Sequence, residues 1–322
     1  MTIRHMTDLT AVRRSIVLVA TMVALALAPA ASATPTSVAS CQTLGTPGAY
    51  VLTADLFVVD ASCIAITVSD VKLDLAGHTI SCTGSGFSGS CQVAAVGARA
   101  VIIAPNLTGV AVMGPGTITG FDTGIEIRDS NALVKGLTFT GPACEPASCS
   151  RPFSTGIIAL GRAGVNLSRN DASNHAVGLR IDSVQCPGGA ADCVLNGNTV
   201  HDNSCQGILL VGSAGYVLTR NVARFNGSTS CFPRGGITLV FGSTGNTVTN
   251  NDSSNNNGLG IRTGFGNGIG PATSGNRILN NTAMGNAIAD LSQVDGENVW
   301  SDNNRCNTED GTVPSTVCNL GE

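Results

Sequence analysis

One phrase is written twice in the C-terminal third of the chain: Asn246-Thr-Val-Thr-Asn-Asn251 and, thirty residues later, Asn276-Arg-Ile-Leu-Asn-Asn281. Each copy is followed by a polar corner and then a small-apolar step such as Gly260-Ile261. A unit this short cannot bury its apolar side alone, so it must stack on neighbours of its own kind. That requirement points to a coil of parallel strands.

The frame extends upstream to residue 122. The first strand of each rung begins Gly-apolar: Gly124-Ile125, Gly156-Ile157, Gly178-Leu179, Gly207-Ile208, Gly236-Ile237 and Gly260-Ile261. A later strand ends in a file of asparagines, Asn170, Asn198, Asn221, Asn251, Asn281 and Asn303, with Gly136 in the equivalent place earlier. Three residues before each lies an apolar side chain: Leu133, Leu167, Leu195, Leu218, Val248, Ile278 and Trp300. The basal rung is 22–24 residues, and departures fall in insertions at 142–153, 184–193, 227–234 and 264–274. Nearer the N-terminus, strands are predicted over 50–59 and 71–80, and the rhythm resumes at Val101 and Val110.

A leucine-rich frame is absent, and no 3.6-residue periodicity survives past residue 33. The remaining solution is an all-β, single-domain parallel β-helix of roughly eight or nine rungs, each rising about 4.8 Å. The asparagine file suits it, because a stacked amide can donate to the next amide along the coil. Both open ends need caps. Residues 34–63 are expected to cap one end, residues 64–303 to form the coil, and residues 304–322 to close the other. Trp300 belongs to the apolar file, which favours a core or cap role over stacking on sugar.

Residues 1–33 read as a secretory signal peptide: Arg4, Arg13 and Arg14, an apolar run from Ile16 to Ala28, then Ala31-Ser-Ala33. The whole chain has 17 basic and 21 acidic residues; without the leader it keeps 14 and 20, a net charge of −6, and only two lysines. No basic stripe remains for nucleic acid, and no later segment approaches membrane-spanning length. Twelve cysteines, all beyond the leader, suit an oxidising compartment, so the protein is expected to be secreted or periplasmic. Their order suggests sequential pairs: Cys41–Cys63, Cys82–Cys91, Cys144–Cys149, Cys186–Cys193, Cys205–Cys231 and Cys306–Cys318. No spacing suggests zinc. Asp/Asn-rich corners could bind calcium weakly, although no loop has a recognisable ligand spacing; otherwise no cofactor is expected.

Leu73-Asp-Leu-Ala-Gly-His-Thr-Ile80, the Asn-Asn-x-x-x-x-Asn rungs and the closing Asn298-Val-Trp-Ser-Asp-Asn303 resemble the right-handed parallel β-helix repeat proteins of the carbohydrate-binding and sugar-hydrolase group. The resemblance covers residues 50–308. It implies a right-handed coil and a polysaccharide or surface glycan as partner. The catalytic patterns of enzyme relatives are missing: there is no Asp-Asp pair, no Arg-x-Lys, and no Asp-Pro-His step of the alginate-epimerase type. Fold alone does not assign activity.

Substrates of such coils lie across the outer face of one sheet. Alternation on the Gly-apolar strands turns Ile125, Ile127, Leu179, Ile181, Ile208 and Leu210 inward. Outward stand Glu126 and Arg128, Ile158 and Leu160, Arg180 and Asp182, Leu209 and Val211, Thr238 and Val240, and Arg262. Glu126 and Asp182 are the candidate carboxylate pair of a glycosidase. Arg180 is the candidate to neutralise a uronate while a base removes the C5 proton. Arg128 and Arg262 are candidate substrate-binding residues. The competing reading is a set of solvated salt bridges. The apolar middle of this face suits cover by insertion loops, or contact with a partner, better than an open polyanion groove. His201-Asp202 reads as a turn pair, and His78 and His175 have no evident partner.

Three functions fit: a polysaccharide lyase, hydrolase or epimerase; a non-catalytic glycan-binding coil; and a structural or adhesive module. The chain is expected to be monomeric.

Overall fold

The computed structural model describes residues 34–84, 91, 97–142, 154–161, 164–186, 193–228, 231, 233–265, 270–301 and 303–318. The expected leader and the Cys144–Cys149 pair lie outside these residues. Thr34–Glu322 forms one compact unit. Among the described residues there is no helix long and apolar enough to cross a membrane.

The middle turns of the coil each contribute one strand to each of three parallel sheets. One turn runs Thr123–Arg128, Ala132–Lys135 and Thr138–Thr140 before returning to Thr155–Leu160. The sheet of the Gly-apolar strands (the glycine sheet) and the sheet of Ala132–Lys135 (the second sheet) have eleven strands each. The short sheet of Thr138–Thr140 has seven. The long sheets exceed the expected eight or nine rungs because both terminal segments stack as well. Thr36–Val38 and Thr43–Leu44 form the first strands of the second and glycine sheets, and Glu309–Gly311 the last strand of the glycine sheet.

One apolar core runs the length of the coil. On the glycine sheet, Val101, Ile125, Ile157, Leu179, Ile208, Ile237, Ile261 and Leu291 are aligned rung upon rung and fully buried. On the second sheet the file is Val112, Val134, Leu167, Leu195, Leu218, Val248, Ile278 and Trp300. Leu133, expected there, points outward opposite Asn166. The frame had slipped by one residue at this rung, and a one-residue slip exchanges the faces of a strand. Trp300 is buried in the core, its indole N–H donating to Gln293 Oε1 at 2.7 Å.

The Gly-apolar step has a steric cause. A Cβ on Gly124 would lie 2.4 Å from the carbonyl oxygen of Gly156, and one on Gly178 2.8 Å from that of Gly207. The chain enters each strand against the backbone of the next rung, and only glycine leaves the space.

The asparagine ladder is threefold. In the expected file, Asn170, Asn198, Asn221, Asn251 and Asn281 each donate from Nδ2 to the Oδ1 of the next member at 2.9–3.1 Å. Its last member is Asn304. Asn303 is exposed, because the corner after Trp300 holds one more residue than the earlier corners. Its first place belongs to Leu137, whose N–H donates to Asn170 Oδ1, rather than to Gly136. A second file turns the corner from the short sheet into the glycine sheet: the backbone of His175, then Asn203, Asn226, Asn256 and Asn286, ending on Asp290 Oδ1. A third joins the backbone of Tyr216 to Asn246, Asn276 and Asn298.

Five of the expected disulfides are formed: Cys41–Cys63, Cys82–Cys91, Cys186–Cys193, Cys205–Cys231 and Cys306–Cys318.

Candidate functional site on the glycine sheet

The outer face of the glycine sheet carries the predicted charged residues in the predicted register. Glu126 stands opposite Ile158, and Ile158 opposite Arg180. Two strand spacings therefore separate Glu126 from Arg180, about 9–10 Å along the axis. Arg128, Leu160 and Asp182 align in the neighbouring file.

Glu126 does not reach solution. It is 3% exposed, and each carboxylate oxygen is already taken: Arg99 Nε donates to Oε2 and Arg128 Nε to Oε1. Arg99, from the preceding strand Arg99–Ile103, carries no local signal in the sequence; the strand register brings it to the outer face beside Glu126. It also donates to the Gly97 carbonyl at 3.1 Å. Arg128 is the most open member of the group.

Two rungs along, Arg180 Nη2 donates to Asp182 Oδ2 at 2.5 Å, and Ser183 Oγ donates to Asp182 Oδ1 at 3.2 Å. Both side chains are about four-fifths buried. Glu126 and Asp182 are offset along the strand as well as along the axis, so their backbone positions lie roughly 12 Å apart. Ile158 and Leu160 stand between them. The two carboxylates are held by separate guanidinium groups and do not converge as a general acid and base do.

Arg262 is 3% exposed and belongs to the architecture rather than to an open groove. It donates to the Gly264 carbonyl through Nε and to the Phe265 carbonyl through Nη2, both at 2.8 Å, clipping the start of an insertion. Burial pulls its pKa below the ordinary arginine value, and Asp295 and Asp310 oppose that shift. The apolar middle is covered in part: Leu209 and Val240 are buried, while Ile158 and Leu160 are half-buried. Val177, Leu209 and Val240 pack with Val211, Phe241 and Phe265, and the two phenylalanine rings stack with centroids 4.5 Å apart.

The remaining histidines differ from expectation in two of three cases. His78 pairs with Asp55 through Nδ1 at 3.2 Å. His201 closes the strand Thr199–His201, with Nδ1 2.6 Å from Asp202 Oδ2 and Nε2 3.1 Å from Asp171 Oδ1 of the preceding rung, so it is more than a turn pair. His175 is buried with neither ring nitrogen hydrogen-bonded. Among the described residues, Cys306, Glu309 and Cys318 gather within 4.8 Å, but the two sulfurs are spent in a disulfide and leave no thiolate for a metal.

Residues 78–252 match the family described as the right handed beta helix region. Among solved structures, a double mutant of the periplasmic alginate epimerase AlgG is similar at 16% identity and a TM-score of 0.50; the match covers 76% of this chain and 62% of that one. The A-module of the mannuronan C-5 epimerase AlgE4 from Azotobacter vinelandii shows 13% identity and a TM-score of 0.33, over 86% of this chain and 88% of that one. The Dettilon tailspike protein shows 12% identity and a TM-score of 0.36, over 82% and 62%. This chain thus spans about three-fifths of the AlgG structure, and at these identities the likeness is one of fold. No curated protein matches the sequence.

Proposed function

Because the chain belongs to the right-handed β-helix family, in which a rigid coil presents outward side chains at fixed intervals, we propose that it is an exported polysaccharide-binding protein. The glycan lies across the glycine sheet between Arg128 and Arg180. The observation that carries this reading is the state of the two carboxylates. Glu126 and Asp182 are each held by arginine, leaving Arg128 as the most open charge of this face, with Arg180 partly exposed two rungs on. Arg99 and Arg128 flank Glu126, and Arg180 stands two rungs on. Guanidinium forks recognise carboxylates, so a uronate-bearing polysaccharide is the favoured class. Processing is disfavoured because the carboxylates beside these arginines, Glu126 and Asp182, are already engaged by Arg99, Arg128 and Arg180. The leader and the disulfides support export into an oxidising compartment.

A structural or adhesive role has one observation in its favour. Phe57 and Val59 project from Leu56–Val59, the edge strand of the short sheet, at 61% and 60% exposure.

The deciding experiment incubates the leaderless, disulfide-intact protein with uronate-rich and neutral polysaccharides, with and without calcium. Saturable, salt-sensitive binding of a uronate polymer that weakens in Arg128→Ala and Arg180→Ala is expected. Unsaturated product absorbing at 235 nm would make the protein a lyase. Binding of no uronate would leave the adhesive reading.

A further inference from the structure

The short sheet holds a second polar constellation that the glycine-sheet site does not use. His201 stands opposite Arg224 in neighbouring strands, and in the adjacent file Asp171, Thr199, Val222 and Asp252 follow one another. Two diagonals cross these files in opposite senses. His201 Nε2 reaches back to Asp171, while Arg224 Nη2 donates forward to Asp252 Oδ2. His201 Nδ1 meets Asp202 at the corner.

The next turn of that corner carries an aromatic ring. Asn174, Asp202, Phe225 and Asn255 each immediately precede a member of the second ladder file, and all four are left-handed, with φ of 59°, 54°, 57° and 57°. Phe225 therefore follows Asp202 by one rung, about 4.8 Å. Asn and Asp tolerate this conformation; a bulky phenylalanine does so only at a local cost. Burial does not offset that cost, because the Phe225 side chain is 57% exposed. An exposed aromatic residue kept where asparagine would fit better points to contact outside the chain.

We propose that this patch is a second glycan site, specific for uncharged pyranose units, with Phe225 as the platform and Asp171, His201, Asp202 and Arg224 as the hydrogen-bonding rim, Arg224 being held in place by Asp252. An aromatic ring offers an apolar surface to the C–H face of a sugar, while a few placed polar groups fix its orientation. Asp171 and Asp202, about half exposed, keep lone pairs for sugar hydroxyls, while Asp252, with Oδ2 on Arg224 and Oδ1 buried, fixes the orientation of that guanidinium. Three carboxylates against one guanidinium and one imidazole make the patch electronegative, so a uronate is repelled. The selectivity is opposite to that of the glycine sheet.

The test uses neutral gluco-, manno- and galacto-oligosaccharides of about six units, with oligouronates and chitosan oligomers beside them, against the leaderless, disulfide-intact protein. A neutral oligosaccharide binds saturably, its ring protons receive saturation transfer, and Phe225→Asn lowers affinity at least about tenfold. That variant retains its thermal stability, since asparagine suits the left-handed corner, and retains uronate binding at the glycine sheet. Asp171→Asn weakens neutral-sugar binding in the same direction. Failure of every neutral oligosaccharide to bind, unchanged affinity in Phe225→Asn, or binding of chitosan alone that fades with salt would each overturn the proposal. None of these results bears on whether uronates bind the glycine sheet.

Discussion

The side-chain amide of Asn198 donates to Asn221 Oδ1 at 2.9 Å, and its backbone N–H donates to the same oxygen at 3.0 Å. One acceptor thus satisfies two buried donors on the preceding turn. Asn221 in turn donates to the Leu195 carbonyl and to Asn251. Asn221→Ala orphans the Asn198 amide and backbone donors and takes a bond from the Leu195 carbonyl, while Asn251 Oδ1 keeps the residue-221 backbone N–H; each buried unsatisfied group costs about 1–3 kcal/mol. A loss of about 3 kcal/mol in denaturant unfolding is expected. Asn303→Ala, in the exposed position first assigned to the file, should stay within about 0.5 kcal/mol of the parent.

His175 heads the second file as a full-sized imidazole with no partner for its ring nitrogens. Burial lowers its pKa from 6.5 to about 3. Below pH 6.5 the unfolded chain binds a proton that the folded chain refuses, so stability falls as pH drops toward 3, by up to about 1.4 kcal/mol per pH unit. His175→Asn supplies an amide able to donate to Asn203 and removes this titration. The difference in urea midpoint between the two proteins should be constant from pH 8 to about 6.5 and shift in the variant's favour below it, down to pH 4. Parallel profiles would refute the assignment.

Gly124→Ala should destabilise by about 1–3 kcal/mol, the usual range for overpacking. The obstacle, the Gly156 carbonyl at 2.4 Å, is backbone and has no rotamer to yield. Thermal unfolding will show whether the glycine file is a packing requirement.

Glu126→Gln separates the two readings of the glycine sheet. A catalytic carboxylate lost would abolish turnover. In the binding reading the substitution frees Arg99 and Arg128, so uronate affinity persists or rises. Stability falls by about 1–3 kcal/mol, because the charge-assisted bonds to a buried group are lost. Titration and unfolding of the same preparation measure both.

The repeat made the coil legible, since inward residues at a fixed spacing can satisfy one another only by stacking. Five disulfides followed from cysteine order for the same reason: each ties an excursion to its own or the adjoining turn. The second ladder was also written in the chain, in the five-residue step from Asn221 to Asn226 and from Asn251 to Asn256, and passed unnoticed beside the first. Other features depended on register alone. Asp171 and His201 are thirty residues apart in sequence and become neighbours only when consecutive short-sheet strands align. Arg99 meets Glu126 in the same way. The burial of Arg262 depends on the path of the Gly264–Phe265 corner, for which local spacing carries no signal.

The ladders run one way. In every side-chain link of the second file the earlier residue donates and the later one accepts, and the last acceptor is Asp290. A carboxylate can receive such a bond but has no N–H with which to send it on. Asp290 instead takes the backbone N–H groups of Asn307 and Thr308 from the closing segment. The number of turns along this corner is therefore set by chemistry at a single residue, which gives the coil a full stop and denies a second copy the donor it would need to continue the line.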